Sequence, residues 1–171
     1  ALSIDAAAQF VAVAGGTGVQ RVHYDRLIVA TGARPVRPAI EGSKEHGVFV
    51  LRTMGDSFAV HACLEQQAKT AVIVGAGYIG LEMADALRRR GLGVTLLSRS
   101  ATVLPTVDPE LGLLIQTELS QHGVALVSGV SATRIEKSSN EKSRLLVHDS
   151  LGGQHLADLV ILAVGAQPNG E

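Results

Sequence analysis

The segment AVIVGAGYIGLE, residues 71–82, holds the pattern best suited to chemistry. Glycines fall at 75, 77 and 80, directly after an aliphatic run and just inside a stretch with helical spacing. In that context each glycine has its own task. Gly75 takes the tight turn, Gly77 lets a pyrophosphate come against the backbone, and Gly80 permits close packing of helix on strand. Phosphate oxygens would sit where unpaired amide groups and the positive end of the helix dipole face them, which makes Gly75, Ala76, Gly77, Tyr78, Ile79 and Gly80 candidate cofactor-binding residues. The chemistry is dinucleotide binding. Three other readings stay open on these residues: a packing turn with no ligand, a non-catalytic nucleotide-binding or redox-sensing module, and a methyltransferase using an adenosyl sulfonium cofactor.

A second group, Ser98, Arg99 and Ser100, ends the next aliphatic run. A fold of this kind selective for NAD places Asp or Glu there to hold the ribose hydroxyls. Without the carboxylate nothing repels a 2′-phosphate, Arg99 offers a fork of donors, and the serines offer hydroxyls. The residue types favour NADP(H) over NAD(H), through a charge-assisted contact of about 1.5–3 kcal/mol before solvent screening. The competing reading makes Arg99 a plain surface residue.

Other reactive side chains form no such group. His23, His46, His61, His122, His148 and His155 are scattered, so no metal site is expected. The single cysteine, Cys63, excludes an internal disulfide, a cysteine-built metal cluster and a two-cysteine redox pair within these residues, and reads as a packing residue. Arg88, Arg89 and Arg90 fit a solvated helix C-terminus.

The elements that must position the two groups are aliphatic runs at Leu27–Ala30, Ala71–Val74, Val94–Leu97, Val124–Val127 and Leu159–Val164, which read as parallel strands buried on both faces. Between them YIGLEMADALRRRG predicts a helix with Ile79, Met83, Ala86 and Leu87 on one face and an Asp85–Arg89 pair. Asp108 and Pro109 start another helix, with Leu111, Leu114, Ile115 and Leu119 facing inward, which ends at Gly123. A short helix from Ser57 to Gln67 is expected to bury Val60, Cys63 and Leu64. Residues 131–157, broken by SSNEK and SLGG, predict an antiparallel meander inserted before the last parallel strand, and Gln9–Ala14 with Gln20–Tyr24 predict a hairpin. The fold class is therefore α/β: a Rossmann-like parallel sheet with an inserted β-meander. Composition agrees. The 171 residues are 46% hydrophobic with only five aromatic rings, so the core is aliphatic. A formal charge of −1 gives no field toward nucleic acid or an anionic membrane. No apolar run reaches the roughly 20 residues of a membrane helix and no targeting segment is visible, so the expected location is cytoplasmic.

Four stretches in order, YDRLIVATGARPVRP, GVFVLRTMGD, VIVGAGYIGLEMADALRRRG and DLVILAVGAQPN, resemble the pyridine nucleotide-disulfide oxidoreductases, flavoproteins of the glutathione reductase, CoA-disulfide reductase and NADH oxidase type. The resemblance implies a partial FAD-binding domain at 1–38, a crossover at 39–68, the NAD(P)H domain at 69–166 and the start of a return to the FAD domain at 167–171. It implies FAD in a homodimeric parent that passes hydride from NAD(P)H to flavin and then to a disulfide or other acceptor, whereas residues 1–171 alone are expected neither to retain FAD nor to turn over. Gly75, Gly77 and Gly80 match the family's pyrophosphate loop, and Ser98 stands where NAD-linked members carry an acid. Arg99 matches a phosphate-binding arginine of the NADPH-linked members, but a second expected arginine is Pro105 here. Tyr78 matches a gate of the nicotinamide pocket, Glu82 a carboxylate near the flavin, Gly165 the closing turn beside the nucleotide, and Thr31 and Gly32 a segment near FAD.

Overall fold

A computed structural model describes residues 1–139 and 144–170, which fold as two compact units, residues 1–32 with 169–170 and residues 33–168. The first unit carries an antiparallel sheet of β1 (Ser3–Asp5), β2 (Phe10–Gly15) and β3 (Gly18–His23) in the order β1-β2-β3. The expected hairpin is β2–β3, closed by Gly16 and Thr17 and extended by β1. Leu27–Ala30 is not a strand, contrary to the sequence reading, and Ile28 is 89% exposed. Apolar residues form a ladder only when a neighbouring strand takes up their amides and carbonyls, and among the described residues no strand pairs with these four.

The second unit begins with β4 (Ala33–Pro35), β5 (Val48–Phe49), α1 (Met54–Glu65), β6 (Thr70–Val74), α2 (Tyr78–Arg89), β7 (Gly93–Ser98), α3 (Pro109–Gln121) and β8 (Val124–Ser128). It continues through β9 (Ala132–Lys137), β10 (Leu145–Asp149), β11 (Gln154–Ala157), β12 (Leu159–Leu162) and β13 (Ala166–Pro168). A parallel sheet in the order β5-β12-β6-β7-β8 is its centre, and the meander β9–β11 forms a separate antiparallel sheet. This is the expected Rossmann-like sheet with its insertion. Part of the SSNEK turn lies outside the described residues. Every residue of β12 is buried, as are Ala71–Val74 of β6 and Val94, Leu96 and Leu97 of β7, because both faces of the sheet are covered. One face packs a core that includes Ile73, Leu96, Leu159 and Ile161 against Ala84 and Leu87 of α2. The other packs Val72, Leu97 and Val160 against Ile135 and Val147 of the meander.

Helix faces correct the sequence reading. Buried in α2 are Gly80, Ala84 and Leu87, whereas Ile79 is 49% exposed and Ala86 is exposed. Small residues allow the helix to lie close on the sheet, and that turns the bulkier Ile79 outward. In α3, Leu111 and Leu114 are exposed, and the contact is made by Gly112, Ile115 and Leu119. Asp108 sits at the N-cap of α3 without a capping hydrogen bond, while the capping box that does form is Thr53 with Asp56 at α1, which therefore starts three residues before the expected Ser57.

Candidate nucleotide site

The carboxyl ends of β6, β7 and β12 open onto a cavity of about 640 Å³ whose lining includes Gly75, Ala76, Gly77, Ser98, Arg99, Ser100 and Gly165. Two groups 23 residues apart in sequence thus share one crevice, because β6 and β7 are paired neighbours in register Val74 to Leu97. The turn is pinned on both sides: the Gly75 amide donates to the Leu97 carbonyl at 2.8 Å, and the Ala163 amide to the Val74 carbonyl at 2.8 Å.

The glycine tasks can be separated by asking what a methyl group would meet. On Gly75, with φ +112°, it would strike the Ala163 carbonyl, and on Gly80 it would strike the carbonyl of Gly75. Both are packing glycines. On Gly77 it would meet nothing within 4 Å, so this residue's smoothness is spent on open space at the crevice. Gly77 is also the N-cap of α2 and provides no capping side chain. The amides of Tyr78, Ile79 and Gly80 have no acceptor inside the helix, which leaves them with the dipole for an anion.

The Ser98–Ser100 segment is a braced turn. Ser98 is buried, and its hydroxyl donates to the Ser100 carbonyl at 2.9 Å. The Val130 amide donates to the Ser98 carbonyl at 2.9 Å. The Ser98 hydroxyl proton is therefore engaged within the turn itself. Arg99 is exposed and makes no hydrogen bond or ion pair among the described residues. The following loop returns to the glycine turn, where the Leu104 amide donates to the Ala76 carbonyl at 2.9 Å, so that Pro105 and Thr106 also line the cavity.

Not every expected residue comes together here. Tyr78 and Glu82 are exposed on α2 and outside the lining, and Ile79 faces a separate groove between α1 and α2. Thr31 and Gly32 belong to the first unit, where the Thr31 hydroxyl donates to the Asn169 carbonyl and the Asn169 amide donates to the Gly32 carbonyl. Cys63 is half-buried, and burial followed by the Asp158 charge pushes its thiol up, away from the reactive thiolate. Among the described residues no cluster of three metal-ligating side chains occurs, and no helix is long and apolar enough to cross a membrane. The sequence reading missed Val36, Pro38 and Ile40, which line the cavity from the segment between β4 and β5. Only their aliphatic character hinted at this.

The family model described as pyridine nucleotide-disulphide oxidoreductase matches residues 1–171. The chain belongs to this family. An NADH oxidase of Methanocaldococcus jannaschii is 38% identical over 150 residues, 86% of this chain and 33% of that protein. The structure of a NAD-dependent persulfide reductase from A. fulgidus superposes with a TM-score of 0.81 at 32% identity, covering 97% of this chain and 30% of that one. An engineered water-forming NADPH oxidase bound to NADPH gives a TM-score of 0.81 at 29% identity, covering 99% of this chain and 37% of that one; its parent, a water-forming NADH oxidase from Lactobacillus brevis, is solved with NADH. The chain spans about a third of the length of the curated relatives it matches. Family membership leaves the methyltransferase reading without support.

Proposed function

We propose that residues 33–168 bind a nicotinamide dinucleotide, NADP(H) in preference to NAD(H), and so provide the reduced-nucleotide site of an FAD-dependent oxidoreductase. The observation that carries the reading is the single crevice shared by the Gly75–Gly77 turn, the open N-terminus of α2 and the Ser98–Arg99–Ser100 turn. Its residues fit the group. The unclashed face of Gly77 admits a pyrophosphate, the first-turn amides of α2 hold its oxygens, and the end of β7 receives the adenosine ribose. The bound nicotinamide supplies a hydride. Tyr78 and Glu82 lie near the start of α2, and we assign them to the nicotinamide end; Gly165 lines the crevice just beyond β12.

The cofactor preference rests on Arg99, and the engineered oxidase supports it. That protein differs from its parent at a glycine changed to alanine. Eighteen, nineteen, twenty and twenty-five residues farther on, an aspartate becomes alanine, an alanine arginine, a methionine serine and a proline arginine. At the same intervals from Gly80 this chain has Ser98, Arg99, Ser100 and Pro105. It shares the arginine and serine of the NADPH-bound form and lacks the parent's aspartate, but it keeps the parent's glycine and proline.

FAD is a different matter. Thr31 and Gly32 are committed to Asn169, and the first unit has no helix N-terminus among its described residues to hold a second pyrophosphate. These residues do not fit a flavin on their own. We assign hydride transfer to flavin and onward to a disulfide or other acceptor to the parent enzyme, and nucleotide binding to residues 1–171. NMR of the amide-labelled chain during NADPH titration tests the site. Tyr78, Ile79, Gly80 and Ser100 amides should shift and those of β1–β3 should not; shifts confined to other surfaces, or none, would refute it.

A further inference from the structure

The nucleotide cavity has a wall that the strand-helix repeats do not provide. Between β4 and β5 the chain passes along the crevice as a strap, and Val36, Pro38 and Ile40 from it line the same cavity as the Ser98–Ser100 turn. The strap is fixed on both sides of these residues. The Val36 amide donates to the Gly165 carbonyl at 2.8 Å, and the Ile135 amide donates to the Glu41 carbonyl at 2.9 Å. At Gly42, with φ +77°, a side chain would fall on the Ile135 carbonyl, so strap and meander touch backbone to backbone. Two pins and the ring of Pro38 leave this segment little freedom.

Ile40 is half-buried and packs on the core cluster containing Val130, which Ala132 joins from the start of β9. Val130 is the residue whose amide holds the Ser98 carbonyl. The apolar patch of Ile40, Val130 and Ala132 therefore adjoins the turn where the adenosine ribose is placed, and all three line the cavity. A purine attached to that ribose needs an apolar surface for its face and a polar group for its edge. Ser131 lines the cavity, is exposed, and has a hydroxyl that takes part in no hydrogen bond among the described residues.

We propose that the strap between β4 and β5 is part of the nucleotide site: Ile40, packed on the core cluster that contains Val130 and that Ala132 joins, is the apolar platform for the adenine ring. This rests on the dinucleotide reading above. It adds a binding residue outside the strand-helix core, one that contributes equally to NADPH and NADH because both carry adenine.

Titration calorimetry of the 171-residue chain with NADPH, NADH, 2′,5′-ADP and nicotinamide mononucleotide tests it in wild type, Ile40→Val and Ile40→Ser. Ile40→Ser should weaken NADPH, NADH and 2′,5′-ADP by one common factor of about tenfold and leave the mononucleotide unchanged, while Ile40→Val should change each by less than about twofold. An unchanged 2′,5′-ADP affinity, or an equal loss for the mononucleotide, would overturn the assignment while leaving the dinucleotide reading intact. Failure of wild type to bind any adenine ligand would overturn both. A measurement on unmutated protein removes dependence on the folding of the serine variant: with Ile methyls labelled, the Ile40 δ1 methyl should show a nuclear Overhauser contact to the adenine H2 or H8 of bound 2′,5′-ADP. Its absence would also overturn the proposal.

Discussion

The glycine turn divides its work in a way that point substitutions can read. Gly77→Ala adds a methyl group where nothing stands within 4 Å, so the fold should survive it with a loss below about 1 kcal/mol, the usual cost of a harmless surface change. The methyl group would occupy the space we propose for the pyrophosphate, and we expect NADPH and NADH both to weaken by at least about tenfold. Gly80→Ala should do the reverse. It drives a methyl group onto the Gly75 carbonyl, and the helix must shift at a cost of about 1–3 kcal/mol, the range for overpacking. Denaturant melts and nucleotide titrations of the two variants should give this crossed pattern; equal effects of both substitutions on binding would contradict the division. Ser98 shows what residue types alone conceal. Its place at a strand end suggested a ribose ligand, but its hydroxyl is spent on the Ser100 carbonyl, a bond that depends on how the turn folds.

At the scale of elements, the joint between meander and sheet depends on Asp158. Burial pushes its carboxyl up, but the amides of Lys69 and Thr70, the Thr70 hydroxyl and Arg144 outweigh this and hold it below its ordinary value of 3.8. The pairing distances are 2.8 and 2.9 Å to the amides and 3.0 Å to Arg144. Asp149 is also held low, by His155 first and then by the Gly153 and Leu151 amides of its own turn. A carboxyl lowered in the folded state contributes stability above its unfolded pKa and loses it as pH falls through the folded value. The protein should therefore lose stability below about pH 4, and Asp158→Asn should flatten that acid limb while costing about 1–3 kcal/mol at neutral pH. Urea melts from pH 7 to pH 2.5 check this; an unchanged acid limb in the variant would remove Asp158 from the account.

The sequence made the elements legible wherever period and punctuation agreed. The buried runs of β6, β7, β8 and β12 could be read because continuous aliphatic character between glycines has few other uses. What a helix rests on was less legible, since hydrophobicity favours Ile79 and Leu114 whereas close approach to a sheet selects Gly80, Ala84 and Gly112. The glycine turn and the Arg99 turn were visible as motifs. The strap was not, because Val36, Pro38 and Ile40 meet the crevice only through the pins to Gly165 and Ile135, contacts about a hundred residues away in sequence.

For the whole molecule, stability should follow the two units separately. Ile73, Val74, Leu96 and Ile161 lie on the central strands of the parallel sheet, and their amides should exchange slowest. Those of β3, exposed along its whole length, should exchange far sooner. Hydrogen exchange giving β3 equal protection would mean that the first unit shares the cooperative core. The same division bears on flavin: after incubation with FAD and dialysis, residues 1–171 should keep no visible flavin absorbance, and stoichiometric retention would show that Thr31 and Gly32 belong to a site these residues complete.

In the proposed site one crevice holds a nicotinamide dinucleotide and Arg99 reads its 2′-phosphate. Calorimetric titration of wild type and Arg99→Ala with NADPH and NADH, at low and high salt, tests it most directly. Because Arg99 is exposed and Pro105 provides no second cation, wild type should prefer NADPH by only about tenfold, or about 1.4 kcal/mol. Arg99→Ala should remove that preference by weakening NADPH alone, and salt should narrow the gap in wild type by screening the same contact. A wild type that prefers NADH, or an Arg99→Ala variant that weakens both nucleotides equally, would contradict the account.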